Sequence, residues 1–219
     1  MSKEIRKIAI DVVVLPNRVT TDQTLAARQQ ALILRKEQIL QIKHQLLSTQ
    51  LKQPLTEQDF LKTPWGKPYL KEHLNFAFNQ SHSHKHYVLA SSWQQQDIGV
   101  DVEDLDRSVR FDHLAQHAFH DDEYQLWQDH EQDPVLWFKI WTTKEAILKA
   151  SGMGIRMPLK DINTRVHVEH TGGVCQHTAL GTFAYQHYQL GGCMLTVAWR
   201  SQLSCKGFAF PQLQLVQHG

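Results

Sequence analysis

The sequence predicts a mixed α+β fold built as two similar α/β halves, and three observations predict it. An Ile- and Val-rich run at residues 5–15 precedes a long stretch of helical periodicity. A second alternating run, Ile98 to Glu103, precedes another helical region. Apolar runs bounded by glycine then close the chain. Each half therefore reads as a strand, a helix and further strands, with a boundary near residue 97 that separates a half at 1–97 from one at 98–219. No residue-level repeat accompanies this likeness.

The first strand ends at Pro16-Asn17. From about Asp22 to Leu47, apolar residues recur at Leu25, Leu32, Ile39 and Leu46, with Ile33, Leu40 and Leu47 beside them, while Arg28, Arg35, Lys36 and Lys43 occupy other positions. That is a helical pattern, which Thr21 or Asp22 can cap. A short helix is expected near Thr56–Lys62, then a turn at Pro64-Trp65-Gly66-Lys67-Pro68. Short strands follow at 75–78 and 87–90, and Trp93 to Asp97 leads into the alternating run. A helical stretch spans Phe111 to His130. Asp133-Pro134 opens the next helix, since Asp accepts free N–H groups and Pro needs no donor at the first position. Gly152 and Gly154 end it. Strands are expected at 163–169, 182–188 and 194–199, the last two joined through Gly191-Gly192.

Composition limits the function. With 219 residues, 42% of them hydrophobic, the chain can bury one large core or two small ones. Its 23 Lys and Arg against 22 Asp and Glu leave a net charge of +1, which gives no support for a broad nucleic-acid or membrane surface. Cys175, Cys193 and Cys205 are odd in number and lack paired-ligand spacing, against a disulfide framework or thiolate zinc and in favour of a reducing cytoplasm. No export signal and no bilayer-spanning run is read.

Two segments carry chemistry. In Gly99-Val100-Asp101-Val102-Glu103, alternate residues share a face, so Asp101 and Glu103 point the same way with Cα atoms about 6.6 Å apart. In Trp141-Thr142-Thr143-Lys144-Glu145-Ala146-Ile147-Leu148-Lys149, Glu145 and Lys149 lie on one helical stripe, with Lys144 about 100° away round the axis. Three carboxylates and two ammonium groups suit Mg²⁺ on a polyphosphate, because an oxygen-only set leaves coordination free for waters and phosphate. Alone, the first pair reads as strand-end carboxylates and the second as an ordinary helical ion pair worth a few tenths of a kcal/mol. Trp137, Ile140, Trp141 and Leu148 read as core. His82, His84 and His86 alternate as a strand would and offer a transition-metal alternative among 14 histidines.

Together, GVDVED at 99–104, FKIWTTKEAILKASGMG at 138–154, FNQSHS at 78–83 and WGKPYL at 65–70 resemble the 4'-phosphopantetheinyl transferases of the Sfp type in order and spacing. The resemblance implies two similar α/β halves with the site between them, the nucleotide contacts in 1–97 and the magnesium and catalytic motifs in 98–219. It implies transfer of the phosphopantetheine arm of coenzyme A to a serine of an acyl or peptidyl carrier protein, leaving adenosine 3',5'-bisphosphate. Asp101, Glu103 and Glu145 match the family's magnesium ligands. Lys144 and Lys149 match its phosphate-binding lysines, Lys149 also steadying the leaving group. Ser81 and His82 match a pair that contacts the 3'-phosphate and adenosine, and a protonated His82 would strengthen that contact. Lys67 matches the lysine of the GKP turn. Arg35, with Arg28 as the alternative, matches the helix arginine, and Glu123 a further acidic position. The general base is left between Glu145 and a water. A cytoplasmic monomer is implied, and a metal-dependent pyrophosphohydrolase or a noncatalytic coenzyme A module are the competing readings.

Overall fold

The computed structural model describes residues 6–16, 24–201, 203–204, 207–208 and 210–218. In chain order the elements are β1 (Lys7–Val14), α1 (Leu25–Leu51), β2 (Phe60–Lys62), β3 (Pro68–Leu70), β4 (Ala77–His82), β5 (His86–Ser92), β6 (Ile98–Asp104), α2 (Phe111–Ala118), α3 (Asp121–Asp129), α4 (Pro134–Ser151), β7 (Gly172–His177), β8 (Gly181–Leu190), β9 (Cys193–Arg200), β10 (Leu203–Ser204), β11 (Gly207–Phe208) and β12 (Gln212–His218). The α+β class is the observed one.

Two four-stranded sheets form the frame, ordered β12-β1-β5-β4 and β6-β9-β8-β7. Ile8, Ile10, Val88 and Ala90 of the first share a buried cluster with Val100, Val102, Leu195 and Val197 of the second. The outer face of the first sheet, through Tyr87 and Leu89, packs with Leu47 of α1. That of the second, through Phe183 and Met194, packs with Ile140 and Ala146 of α4. The period-two alternation of each strand thus feeds one core between the sheets and one beneath each helix.

The C-terminal strand returns across residue 97 to the first sheet. β12 pairs in parallel with β1, Ile8 opposite Leu213 and Ile10 opposite Leu215. The last strand of the second half therefore completes the first sheet.

Several local expectations change. α1 packs mainly through its C-terminal half: Leu47 is fully buried, whereas Leu25 and Leu32 are 73% and 63% exposed. Thr24 caps it by accepting from Ala27 N; Thr21 and Asp22 lie outside the described residues. The helix expected at 56–62 is one 3₁₀ turn, because Asp59 accepts from Thr56 N and sends Phe60 into β2. The stretch 111–130 divides at Phe119 and His120, where Glu123 accepts from His120 N and starts α3 afresh. Residues 163–169 form no strand: Arg165 has φ 56°, and Lys139 Nζ donates to the carbonyls of His167, Val168 and His170. Asp133 and Gly152 do cap α4, Gly152 with φ 72°. Gly191-Gly192 joins β8 to β9.

Cys175 and Cys193 are buried free thiols, and Cys205 lies outside the described residues. No helix among the described residues is long and apolar enough to cross a membrane.

Candidate functional site

The site forms where the edge strands β4 and β6 of the two sheets meet under α4. Close approach makes this possible. A Cβ on Gly99 would overlap Ala146 O and Ala150 N, so only glycine lets β6 lie against the α4 backbone. That contact sets Asp101 and Glu103 beside the Glu145–Lys149 stripe.

Lys149 Nζ donates to Asp101 Oδ1 at 2.7 Å, to Ser81 Oγ at 2.8 Å and to Val100 O at 3.2 Å. Ser81 Oγ also donates to Asp101 Oδ1, at 2.8 Å. Asp101 is buried, and its other oxygen, Oδ2, has no hydrogen-bond partner among the described residues. Such an orphan is costly without a cation or donor. Glu103 accepts from Arg107 Nη1 at 2.6 Å. Burial raises the Glu103 pKa and Asp101 adds to the rise, against the pull of Arg107. Glu145 is raised likewise by burial first, then by Asp101 and Glu103, with Lys149 opposing. Burial is the leading cause for both, and repulsion from Asp101 adds to it. As they stand, however, no three His, Cys, Asp or Glu among the described residues converge as a metal-holding cluster. The histidine alternative meets the same result, and His86 Nδ1 is 2.6 Å from Asp104 Oδ1 instead.

Two recesses flank this knot. One, about 330 Å³, is lined by Trp65, Lys67, Gln80, Glu145 and Lys149. The other, about 620 Å³, is lined by Arg35, His82, Lys85, Glu103 and Arg107. The Ser-His pair is split between them and the knot, because adjacent strand residues face opposite ways: Ser81 turns to Asp101 while His82 lines the larger recess. Burial, with Arg35 and Lys149 nearby, holds the His82 pKa below the ordinary imidazole value despite a hydrogen bond with the Ser83 backbone. The shift disfavours the protonated ring that would strengthen a phosphate contact. Arg35 donates to the carbonyls of Ser83 and His84. Arg28, two turns earlier, does not line the recess.

Lys144 lies away from the recess that Glu145 and Lys149 line. It is fully buried, its Nζ 2.6 Å from Glu123 Oε2 and donating to Leu159 O and Ile162 O. About 100° of helical rotation from Glu145 carries it into the core rather than the recess. Glu123 goes with it, also accepting from His120 N and Thr164 N. The two pair with each other in the core. Lys67 Nζ donates to Ile98 O at 3.1 Å and Ala150 O at 3.0 Å; burial lowers its pKa to about 8, with Asp97 opposing and Arg200 assisting.

Two contributors escaped the sequence reading. Asn79 Oδ1 accepts from Val100 N at 2.9 Å and ties the sheets together beside the site. Asp104 accepts from Ser83 Oγ, Lys85 N and His86, fixing the β4–β5 turn behind His82. Burial raises the Asp104 pKa, but these bonds outweigh it and leave it lowered. The available signal was polarity at alternate positions of β4, where Asn79 and Ser81 share a face with Ala77.

Comparison with known proteins converges on the same segment. Residues 97–198 match the family model of the 4'-phosphopantetheinyl transferase superfamily. The chain is 34% identical over 103 residues to the 4'-phosphopantetheinyl transferase gsp of Aneurinibacillus migulanus, covering 46% of this chain and 40% of that protein. It is 38% identical over 95 residues to 4'-phosphopantetheinyl transferase HetI of Nostoc sp., covering 41% and 40%. With 4'-phosphopantetheinyl transferase Sfp of Bacillus subtilis it shares 28% over 110 residues, covering 49% and 47%. The matched segment thus spans less than half the length of each of these relatives.

Proposed function

We propose, from the match of residues 97–198 to the 4'-phosphopantetheinyl transferase superfamily, that this chain moves the 4'-phosphopantetheine arm of coenzyme A onto a carrier-protein serine. The observation that carries the reading is the meeting of Asp101, Glu103, Glu145 and Lys149 at the β6–α4 contact. It pairs an anionic pocket with an ammonium that can follow a phosphate.

The donor set fits magnesium: all ligands are oxygens, Asp101 Oδ2 is buried and unpartnered, and Glu103 and Glu145 share the burden of its charge. Asp101, Glu103 and Glu145 would hold the ion. Bound there, it would neutralise the pyrophosphate and stabilise charge on the leaving oxygens. The chain's own groups do the rest. Lys149, released from Asp101, faces the phosphates and steadies the adenosine 3',5'-bisphosphate as the serine oxygen bonds to the β-phosphorus and the bridging P–O bond breaks. Glu145 accepts no hydrogen bond among the described residues, and the serine proton passes to Glu145 or to a water beside it. Arg35, Ser81 and His82 lie on the nucleotide side. Arg35 supplies a planar fork for phosphate, and an incoming anion would favour the charged form of His82.

The partners in this reading are coenzyme A and an acyl or peptidyl carrier protein, with no role for nucleic acid or membrane. The near-neutral net charge supports that. A cytoplasmic monomer is part of the proposal; the buried free thiols agree with a reducing compartment. Apo carriers from fatty-acid, polyketide and nonribosomal peptide systems, incubated with the protein, coenzyme A and Mg²⁺, should gain one phosphopantetheine by intact mass. No modification across that panel, or rapid cleavage of coenzyme A without a carrier, overturns the proposal.

A further inference from the structure

We infer that Lys67 is a positioning residue that clamps β6 to α4, and not a ligand of the nucleotide; the inference rests on the carboxylate-site reading above. Among the described residues β6 is an edge strand, paired only with β9, so its other edge presents backbone groups that no described strand satisfies. Three side chains serve them. Lys67 donates to Ile98 O, Asn79 accepts from Val100 N and Lys149 donates to Val100 O.

Lys67 differs from the other two because it also takes Ala150 O. That carbonyl is in the last turn of α4, where no intrahelical donor remains and a cation complements the helix dipole. One ammonium therefore joins the start of the strand bearing Asp101 and Glu103 to the end of the helix bearing Glu145 and Lys149.

The β2–β3 turn delivers it there. Thr63 N donates to Lys67 O, Gly66 N to Thr63 O and Lys67 N to Thr63 Oγ1, with Gly66 at φ 87°. The aliphatic stem then passes Gly152, where a Cβ would stand 3.5 Å from Lys67 Cδ. A nucleotide phosphate on Lys67 would have to compete with two carbonyls that have no other donor of this kind. Arg35 and His82, by contrast, line the other recess.

The test separates affinity from assembly. Lys67→Met keeps the stem and removes the ammonium; Lys67→Arg keeps charge and donors. Full-length protein is titrated with Mn²⁺ by electron paramagnetic resonance, and kcat and the KM for coenzyme A are measured with a responsive carrier. Loss of a positioning group costs about 10- to 100-fold in metal affinity or activity, so Lys67→Met should weaken Mn²⁺ binding and kcat to that degree with the KM unchanged. Lys67→Arg should recover part of both. A raised KM with kcat and Mn²⁺ affinity intact makes Lys67 a nucleotide ligand and overturns the inference, as do wild-type values in every measurement. If Lys67→Met does not fold, Lys67→Arg is read through the same split, reduced kcat and Mn²⁺ affinity supporting the clamp and a raised KM alone opposing it. If the wild type modifies no carrier, the proposed function fails, while the Mn²⁺ titration still decides on the clamp.

Discussion

Lys149 Nζ stands 2.7 Å from Asp101 Oδ1, so an ammonium on α4 is bonded to a buried carboxylate of the β6 strand. The pair keeps Asp101 neutralised when nothing else does. Two of the three carboxylates are thus already engaged, Asp101 by Lys149 and Glu103 by Arg107.

Removing that ammonium should expose the dependence. Lys149→Met leaves a buried charged acceptor short of its donor and should cost about 1–3 kcal/mol of stability. Added Mg²⁺ should then raise Tm more in the variant than in the wild type, as read by thermal denaturation. An equal Mg²⁺ response in both would show that Lys149 and the ion do not share Asp101. Asp101→Ala should remove both turnover and the Mg²⁺ response.

The Glu123–Lys144 pair is buried on both sides, at 2% and 0% exposure. Breaking such a pair from one side costs about 3–5 kcal/mol. Lys144→Met should therefore lower the denaturation midpoint sharply while the surviving folded enzyme keeps its KM for coenzyme A. A selective rise in KM with normal stability would return Lys144 to phosphate binding.

Gly99 has no room for a methyl group against Ala146 O and Ala150 N. Gly99→Ala must push β6 away from α4, at about 1–3 kcal/mol for an overpacked contact. Stability and Mn²⁺ affinity should fall together, because the shift separates Asp101 and Glu103 from Glu145. Chemical denaturation beside a metal titration would show whether they do.

His187 is buried between the second sheet and α4, its Nδ1 3.0 Å from Thr196 Oγ1. Burial, reinforced by the charge of Lys139, lowers its pKa from 6.5 to about 3. Below about pH 6.5 the unfolded chain binds a proton that the folded chain refuses until about pH 3, so this group removes stability as the pH falls through that window. Urea unfolding at about pH 7 and about pH 4.5 should show a smaller loss between the two for His187→Asn than for the wild type. Parallel loss in both proteins would assign the acid sensitivity elsewhere.

Local signals in the sequence carried much of the fold. An Ile- and Val-rich run announced β1 and alternation β6, Asp133-Pro134 and Gly152 bounded α4, and Gly191-Gly192 marked the β8–β9 hairpin, because each depends on neighbours a few residues away. Where a distant side chain intervenes, the same signals misled. Lys139 and Glu123 hold residues 163–170 out of a strand, and β12 crosses the chain's midpoint to pair with β1.

The sequence by itself determined that Asp101 and Glu103 share one strand face and that Glu145 and Lys149 share one helix stripe, since strand and helix periods follow from backbone geometry alone. Only the tertiary structure decided how those faces meet. Gly99 admits the α4 backbone, Asn79 and Lys67 satisfy the free edge of β6, and Lys144, one position from Glu145, turns into the core to meet Glu123. Which cation faces the recess and which is sealed inside depends on what packs against each side of α4, and periodicity holds no record of that.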